Sequence, residues 1–331
     1  MALPKPNLNC NAARLFPIVM TNTHHSLNQQ PELEFVDCPH PEGHHRMAYW
    51  RWGKPQAQRV LVCAHGLTRQ GRDFDRLAQA LVAQSTEALQ VICPDVAGRG
   101  QSEWLNNPAL YQIPQYAADM LAMLGQVQAQ LGSVPMQSLD WVGTSMGGLI
   151  GLVLCGQPGL PLPAPIRRLV LNDVGPAITW SSVQRMQSYV GQYDQYRDLD
   201  EAAAVLWTLS QGFGPVLPEV WREMSAHMTR PGTPDGLTLH YDPALGVPLR
   251  AMTPEIAAAG EATLWALYDQ VQAPTLLIRG QDSDLLTPET ALEMTRRGPH
   301  ARLETWPGFG HAPTLTGEDQ IRALASFLLS D

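Results

Sequence analysis

The chain has 331 residues, with 22 Lys+Arg against 31 Asp+Glu for a formal charge of −9, and 44% of its residues are hydrophobic. That length supports one large domain or two ordinary ones, each able to bury a sufficient core without disulfides. Net acidity without a dense Lys/Arg stripe argues against a nucleic-acid partner, which would demand phosphate neutralisation. No run approaches the roughly 18 apolar residues of a membrane span.

Cys10, Cys38, Cys63, Cys93 and Cys155 are odd in number, and several lie in apolar runs, which suits a reducing compartment. Leu15–Met20 is too short and too interrupted by Pro17 for a secretory core, so a cytoplasmic location is expected. Residues 1–30 carry Asn/Gln clusters and no sustained apolar period, and read as a poorly ordered tail. From there, Leu33–Val36 and Arg46–Trp52 read as a strand hairpin, and Arg59–Ala64 as a buried strand ending at His65-Gly66. Phe74–Ala83 reads as a helix, Leu89–Cys93 as a strand, Gln115–Leu131 as a long helix and Leu139–Val142 as a strand. Ser145–Cys155 (helix) and Ile166–Leu171 (strand) continue the alternation. Such regular alternation predicts an α/β fold, a mostly parallel twisted sheet with helices on both faces.

Between residues 175 and 273 the strand signal disappears and amphipathic helices take over, carrying Trp180, Met186, Trp207, Trp221 and several further Met residues. This reads as a helical cap inserted into a core of residues 31–174 and 274–331. Most of these side chains are expected to form the cap's own core, with Trp180, Met186 and Trp207 as candidates to face a cleft. The core pattern resumes with Thr275–Arg279 (strand), Glu289–Arg297 (helix), Ala301–Trp306 (strand) and Gln320–Leu329 (helix).

The chemical signal is Gly143-Thr144-Ser145-Met146-Gly147, a G-x-S-x-G directly between a strand and a helix. A serine on so sharp a turn exposes its hydroxyl above the sheet edge, and the flanking glycines leave room for neighbouring backbone. A serine hydroxyl is a poor nucleophile at neutral pH and needs a histidine base oriented by a carboxylate. His311, in Gly308-Phe309-Gly310-His311-Ala312-Pro313, follows the last strand, and Asp282 and Asp284 share the loop after Thr275–Arg279. Both groups lie at C-terminal strand ends, where open α/β sheets place their sites. The Met146 amide and an amide from His65-Gly66-Leu67, assigned to Leu67, are the expected oxyanion donors. The tandem pairs His24-His25 and His44-His45 are read as exposed loop residues, and no metal is expected.

His65-Gly66, Asp95-x-x-Gly98-x-Gly100-x-Ser102, Gly143-Thr144-Ser145-Met146-Gly147-Gly148 and Gly308-x-Gly310-His311-x-Pro313 together resemble the α/β-hydrolase superfamily, specifically its capped bacterial serine esterases, over about residues 33–330. In that family the acid precedes a proline by four positions, as Asp284 precedes Pro288, so the resemblance favours Asp284 over Asp282. It implies Ser145, Asp284 and His311 as a triad, a small-molecule ester substrate cleaved through an acyl-enzyme, and no cofactor. Lactones, hydroxyalkanoate oligomers and vinylogous diketones are alternative substrates, and a ligand-binding protein that has lost turnover is the alternative outside catalysis.

Overall fold

The computed structural model describes residues 30–192, 195–232 and 235–330; the expectation for residues 1–30, including His24 and His25, falls almost wholly outside them. Two strands open the fold as an antiparallel hairpin, β1 (Glu32–His40) and β2 (Gly43–Gly53). Then follow β3 (Arg59–Ala64), α1 (Asp75–Gln84), β4 (Leu89–Asp95), α2 (Ile113–Gln130), β5 (Ser138–Thr144), α3 (Met146–Gly156) and β6 (Ile166–Asn172). After a long excursion the chain returns through β10 (Thr275–Gly280), α9 (Pro288–Met294), β11 (Arg302–Trp306) and α10 (Glu318–Leu328).

The eight strands form one sheet in the order β1-β2-β4-β3-β5-β6-β10-β11. From β4 to β11 every pairing is parallel, and β2 alone of the eight runs against the others. Such a sheet is buried on both faces, which is why its central strands are continuous apolar runs. In β3 the period of two is visible in the packing. Val60, Val62 and Ala64 enter the core shared with α2 and α3, while Leu61 and Cys63 enter the one formed with α1 and α10.

The excursion contains α4 (Trp180–Tyr189), β7 (Gln195–Tyr196), α5 (Leu199–Ser210), α6 (Pro218–His227), β8 (Thr229–Pro231), β9 (Leu237–Leu239), α7 (Gly246–Arg250) and α8 (Pro254–Tyr268). Two features differ from the strandless cap expected over 175–273. A three-stranded antiparallel sheet, β7-β9-β8, lies within it; strands of two or three residues are too short to show a period. The other is α8, which packs against α3 in the core layer and buries Tyr268. Helix starts follow their local chemistry: Thr253 and Thr287 cap α8 and α9, each with a proline in the first helical turn. No helix among the described residues is long and apolar enough to cross a membrane.

Candidate active site

Ser145 stands between the end of β5 and the start of α3 with φ +51° and ψ −117°. A non-glycine residue there is strained, and the surroundings must over-determine it. They do so through glycine. A Cβ on Gly147 would penetrate the Ala64 carbonyl of β3, and one on Gly143 would penetrate the backbone of Gly147. Met146 is the first residue of α3, so its amide has no intrahelical acceptor and lies at the positive end of the helix.

His311 Nε2 lies 2.9 Å from Ser145 Oγ, placed to accept its proton. The other ring nitrogen, Nδ1, donates to Asp173 Oδ2 at 2.7 Å. The carboxylate against the histidine is therefore Asp173, not Asp284. Asp173 is fully buried, one residue past β6, and its amide donates to the Ile278 carbonyl of β10. Its Oδ1 accepts the Gly280 amide at 2.8 Å, and its Oδ2 accepts the Ser283 hydroxyl at 2.6 Å.

Asp284 is exposed and held by Arg185 of α4, whose Nε and Nη2 donate to it at 2.7 and 2.9 Å. Its backbone carbonyl accepts the Thr179 hydroxyl. Asp282 is exposed too, its amide spent on the Phe309 carbonyl. The late loop thus supports the acid through Gly280 and Ser283 without supplying it. The signal for Asp173 was present in Leu171-Asn172-Asp173, a strand exit beside that of β5, but it carries no proline-spaced motif.

A cavity of about 310 Å3 opens over Ser145 and His311. Gly66, Leu67 and Thr68 form one wall, so the residue expected to supply the second donor, Leu67, lines the same cavity as the serine. Met186, Leu206, Phe213 and Met228 contribute apolar surface, and Tyr189 and Gln192 polar surface. Of the three cap candidates only Met186 lines the cavity. Trp207 packs edge-on against Trp221 at 5.1 Å, and Trp180 opens α4 away from the lining. Neither is positioned by periodicity alone, since an amphipathic helix shows which residues are apolar but not which neighbour they meet.

Scaffolding polar groups surround the site. His65 spends both ring nitrogens on backbone, Nδ1 on Gly66 O at 2.7 Å and Nε2 on the Val96 amide at 3.0 Å. Burial holds its pKa well below the ordinary histidine value, so it is a neutral brace between the Gly66 turn and Val96. His240, from the excursion, accepts the Gly100 amide on Nδ1 at 2.7 Å and reaches Thr68 O through Nε2 at 3.3 Å. Burial, and then Arg69, lower its pKa to about 3. Asp95 gathers the Gly71 and Gln101 amides and the Trp50 indole. Burial nevertheless pushes its carboxyl up to about 6.

Residues 55–318 match the family described as serine aminopeptidase, S33. The chain belongs to this α/β-hydrolase family. Among this hydrolase's relatives is the 3-hydroxybutyrate-oligomer hydrolase of Cupriavidus necator (strain ATCC 17699 / DSM 428 / KCTC 22496 / NCIMB 10442 / H16 / Stanier 337), 47% identical over 91% of this chain and 99% of the relative. An α/β hydrolase from Novosphingobium aromaticivorans superposes with a TM-score of 0.75 at 30% identity, over 90% of this chain and 98% of that one. A hydrolase structure from Rickettsia typhi, at 24% identity, shares the fold with a TM-score of 0.76 over 91% and 99% of the two chains.

Proposed function

We propose that this hydrolase cleaves carboxylic esters through Ser145, His311 and Asp173, and that short 3-hydroxyalkanoate oligomers are its preferred substrates. The observation that carries the reading is the unbroken hydrogen-bond line from Ser145 Oγ through His311 to the buried Asp173, opening into a cavity. His311 Nε2 takes the serine proton as Oγ attacks the ester carbonyl. The Met146 and Leu67 amides receive the charge that develops on the carbonyl oxygen. His311 then protonates the departing alkoxide, and water, deprotonated by the same nitrogen, releases the acyl group from Ser145.

Two things support the substrate class. The relative from C. necator acts on 3-hydroxybutyrate oligomers and aligns across nearly its whole length. The cavity mixes methionine, leucine and phenylalanine with Tyr189, Gln192 and Thr208, which suits a chain alternating methyl-bearing carbons with ester oxygens.

The test is steady-state hydrolysis of 3-hydroxybutyrate dimer and trimer alongside p-nitrophenyl acetate through octanoate, by wild type and Ser145→Ala. Turnover that vanishes in Ser145→Ala, with oligomers preferred over simple esters, supports both parts. Turnover of simple esters alone refutes the substrate class. A folded protein inert on every ester refutes ester hydrolysis and leaves the diketone and ligand-binding alternatives.

A further inference from the structure

His44 and His45, expected together as exposed loop residues, divide. His44 is exposed and pairs with Asp37, whereas His45 is buried, 3% exposed, on the inner face of β2. In the hairpin register Cys38 of β1 stands directly opposite His45, so both side chains project to the same face. There α2 covers them with Asp119. Cys38 Sγ, one ring nitrogen of His45 and one carboxylate oxygen of Asp119 all lie within 4.8 Å of one another.

We propose that Cys38, His45 and Asp119 bind a divalent transition-metal ion, zinc above all, as a clasp between the hairpin and α2, separate from the Ser145 site. Hydrogen bonding leaves the cluster incomplete. His45 meets Asp119 Oδ2 at 3.2 Å through Nε2, and its Nδ1 is buried with no partner among the described residues. The Cys38 sulfur has only distant contacts, at 4.0 and 3.9 Å, with the carbonyls of Val36 and Asp119.

Thiolate, imidazole and carboxylate are the three zinc-ligand types, at about 2.0–2.3 Å from the ion. A tetrahedral centre would bring them to roughly 3.3–3.8 Å from one another. His45 and Asp119 already stand near that separation, and the sulfur must close by up to about 1 Å. Binding releases the Cys38 S–H proton to solvent, so that thiolate and carboxylate together balance the doubly charged ion at a buried position. Gln115 donates to the outer oxygen of Asp119 at 2.8 Å and fixes its orientation. His40, two residues beyond Cys38 on β1, has its ring centroid 5.5 Å from that of His45, but its Nδ1 accepts the Glu42 amide at 3.2 Å, so the fourth position of the centre falls to a solvent oxygen.

The test uses the full chain, stripped with chelator and titrated with Co2+ and then Zn2+. A thiolate-to-cobalt charge-transfer band that appears at one ion per chain and is bleached by zinc is the expected result. In Cys38→Ala the band is absent, and zinc Kd rises at least about 100-fold. Zinc raises the Tm of wild type but not of Cys38→Ala. A wild type whose Tm ignores zinc overturns the proposal without recourse to any variant. So does a cobalt band that survives Cys38→Ala, which would place the ion at another cysteine, or zinc bound with no cysteine-dependent band, as the His24-His25 pair could do. None of these readouts depends on ester hydrolysis.

Discussion

Ser283 Oγ lies 2.6 Å from Asp173 Oδ2, the same carboxylate oxygen that receives the His311 N–H. The serine hydroxyl in turn accepts the amides of Leu285 and Leu286 at 3.2 and 3.1 Å, so its proton is committed to the acid. Ser283→Ala removes one of the bonds that aim Asp173 at His311. We expect kcat to fall about tenfold, the loss of one hydrogen bond to a charged group. An unchanged kcat on p-nitrophenyl butyrate would show that Asp173 is held in place without it.

The acid assignment separates two conservative variants. Asp173→Asn should lower kcat by about 10³–10⁴, because the amide favours the wrong tautomer of His311. Asp284→Asn should leave kcat within about threefold of wild type, since it breaks only an exposed pair with Arg185 worth about 1 kcal/mol or less. Kinetics on p-nitrophenyl butyrate decide it, and the reverse order of effects would return the role to Asp284.

Met186 borders the cavity and Trp207 does not. Met186→Ala should shift preference toward longer acyl chains, by roughly fourfold in kcat/KM for each methylene that gains about 0.8 kcal/mol of burial. Trp207→Ala should leave the chain-length profile in place and lower Tm, through loss of its packing on Trp221. A profile that moves with Trp207 and not with Met186 would contradict the observed lining.

His240 makes a pH-dependent contribution to stability. Its folded pKa, about 3, lies below the ordinary histidine value of about 6.5, so between these values the unfolded chain binds a proton that the folded chain does not. The contribution is complete above pH 6.5 and is lost as pH falls toward 3. His240→Gln removes this term, so wild-type stability should fall faster than the variant's in that window, by up to about 1.4 kcal/mol per pH unit. Urea unfolding of both proteins at pH 7, 6, 5 and 4 gives the difference directly.

Where burial alone decides structure, the sequence is a good guide. Arg59–Ala64 is a strand with the expected bounds because every residue of it is buried, and the serine turn is legible because sterics admit only glycine at 143 and 147. Where a partner decides, sequence is mute. Asp173 and Asp284 both stand at strand exits, and only the packing of β6 beside β10 brings the first to His311. His45 looks like its exposed neighbour His44 until α2 covers one and not the other. The same holds for Trp207, whose neighbour is another tryptophan rather than a cleft.

Asp173 also marks the point from which the excursion departs, only seven residues before α4 begins. The acid belongs to the rigid sheet and is bonded covalently to the root of the covering segment, while the late loop that might have supplied an acid instead grips that segment through Asp284 and Arg185. That loop thus meets the covering segment through an exposed ion pair and meets the histidine only through the acid it supports. Substitutions in that pair and in the helices of the excursion can therefore reshape the cavity without reaching the atoms that move protons.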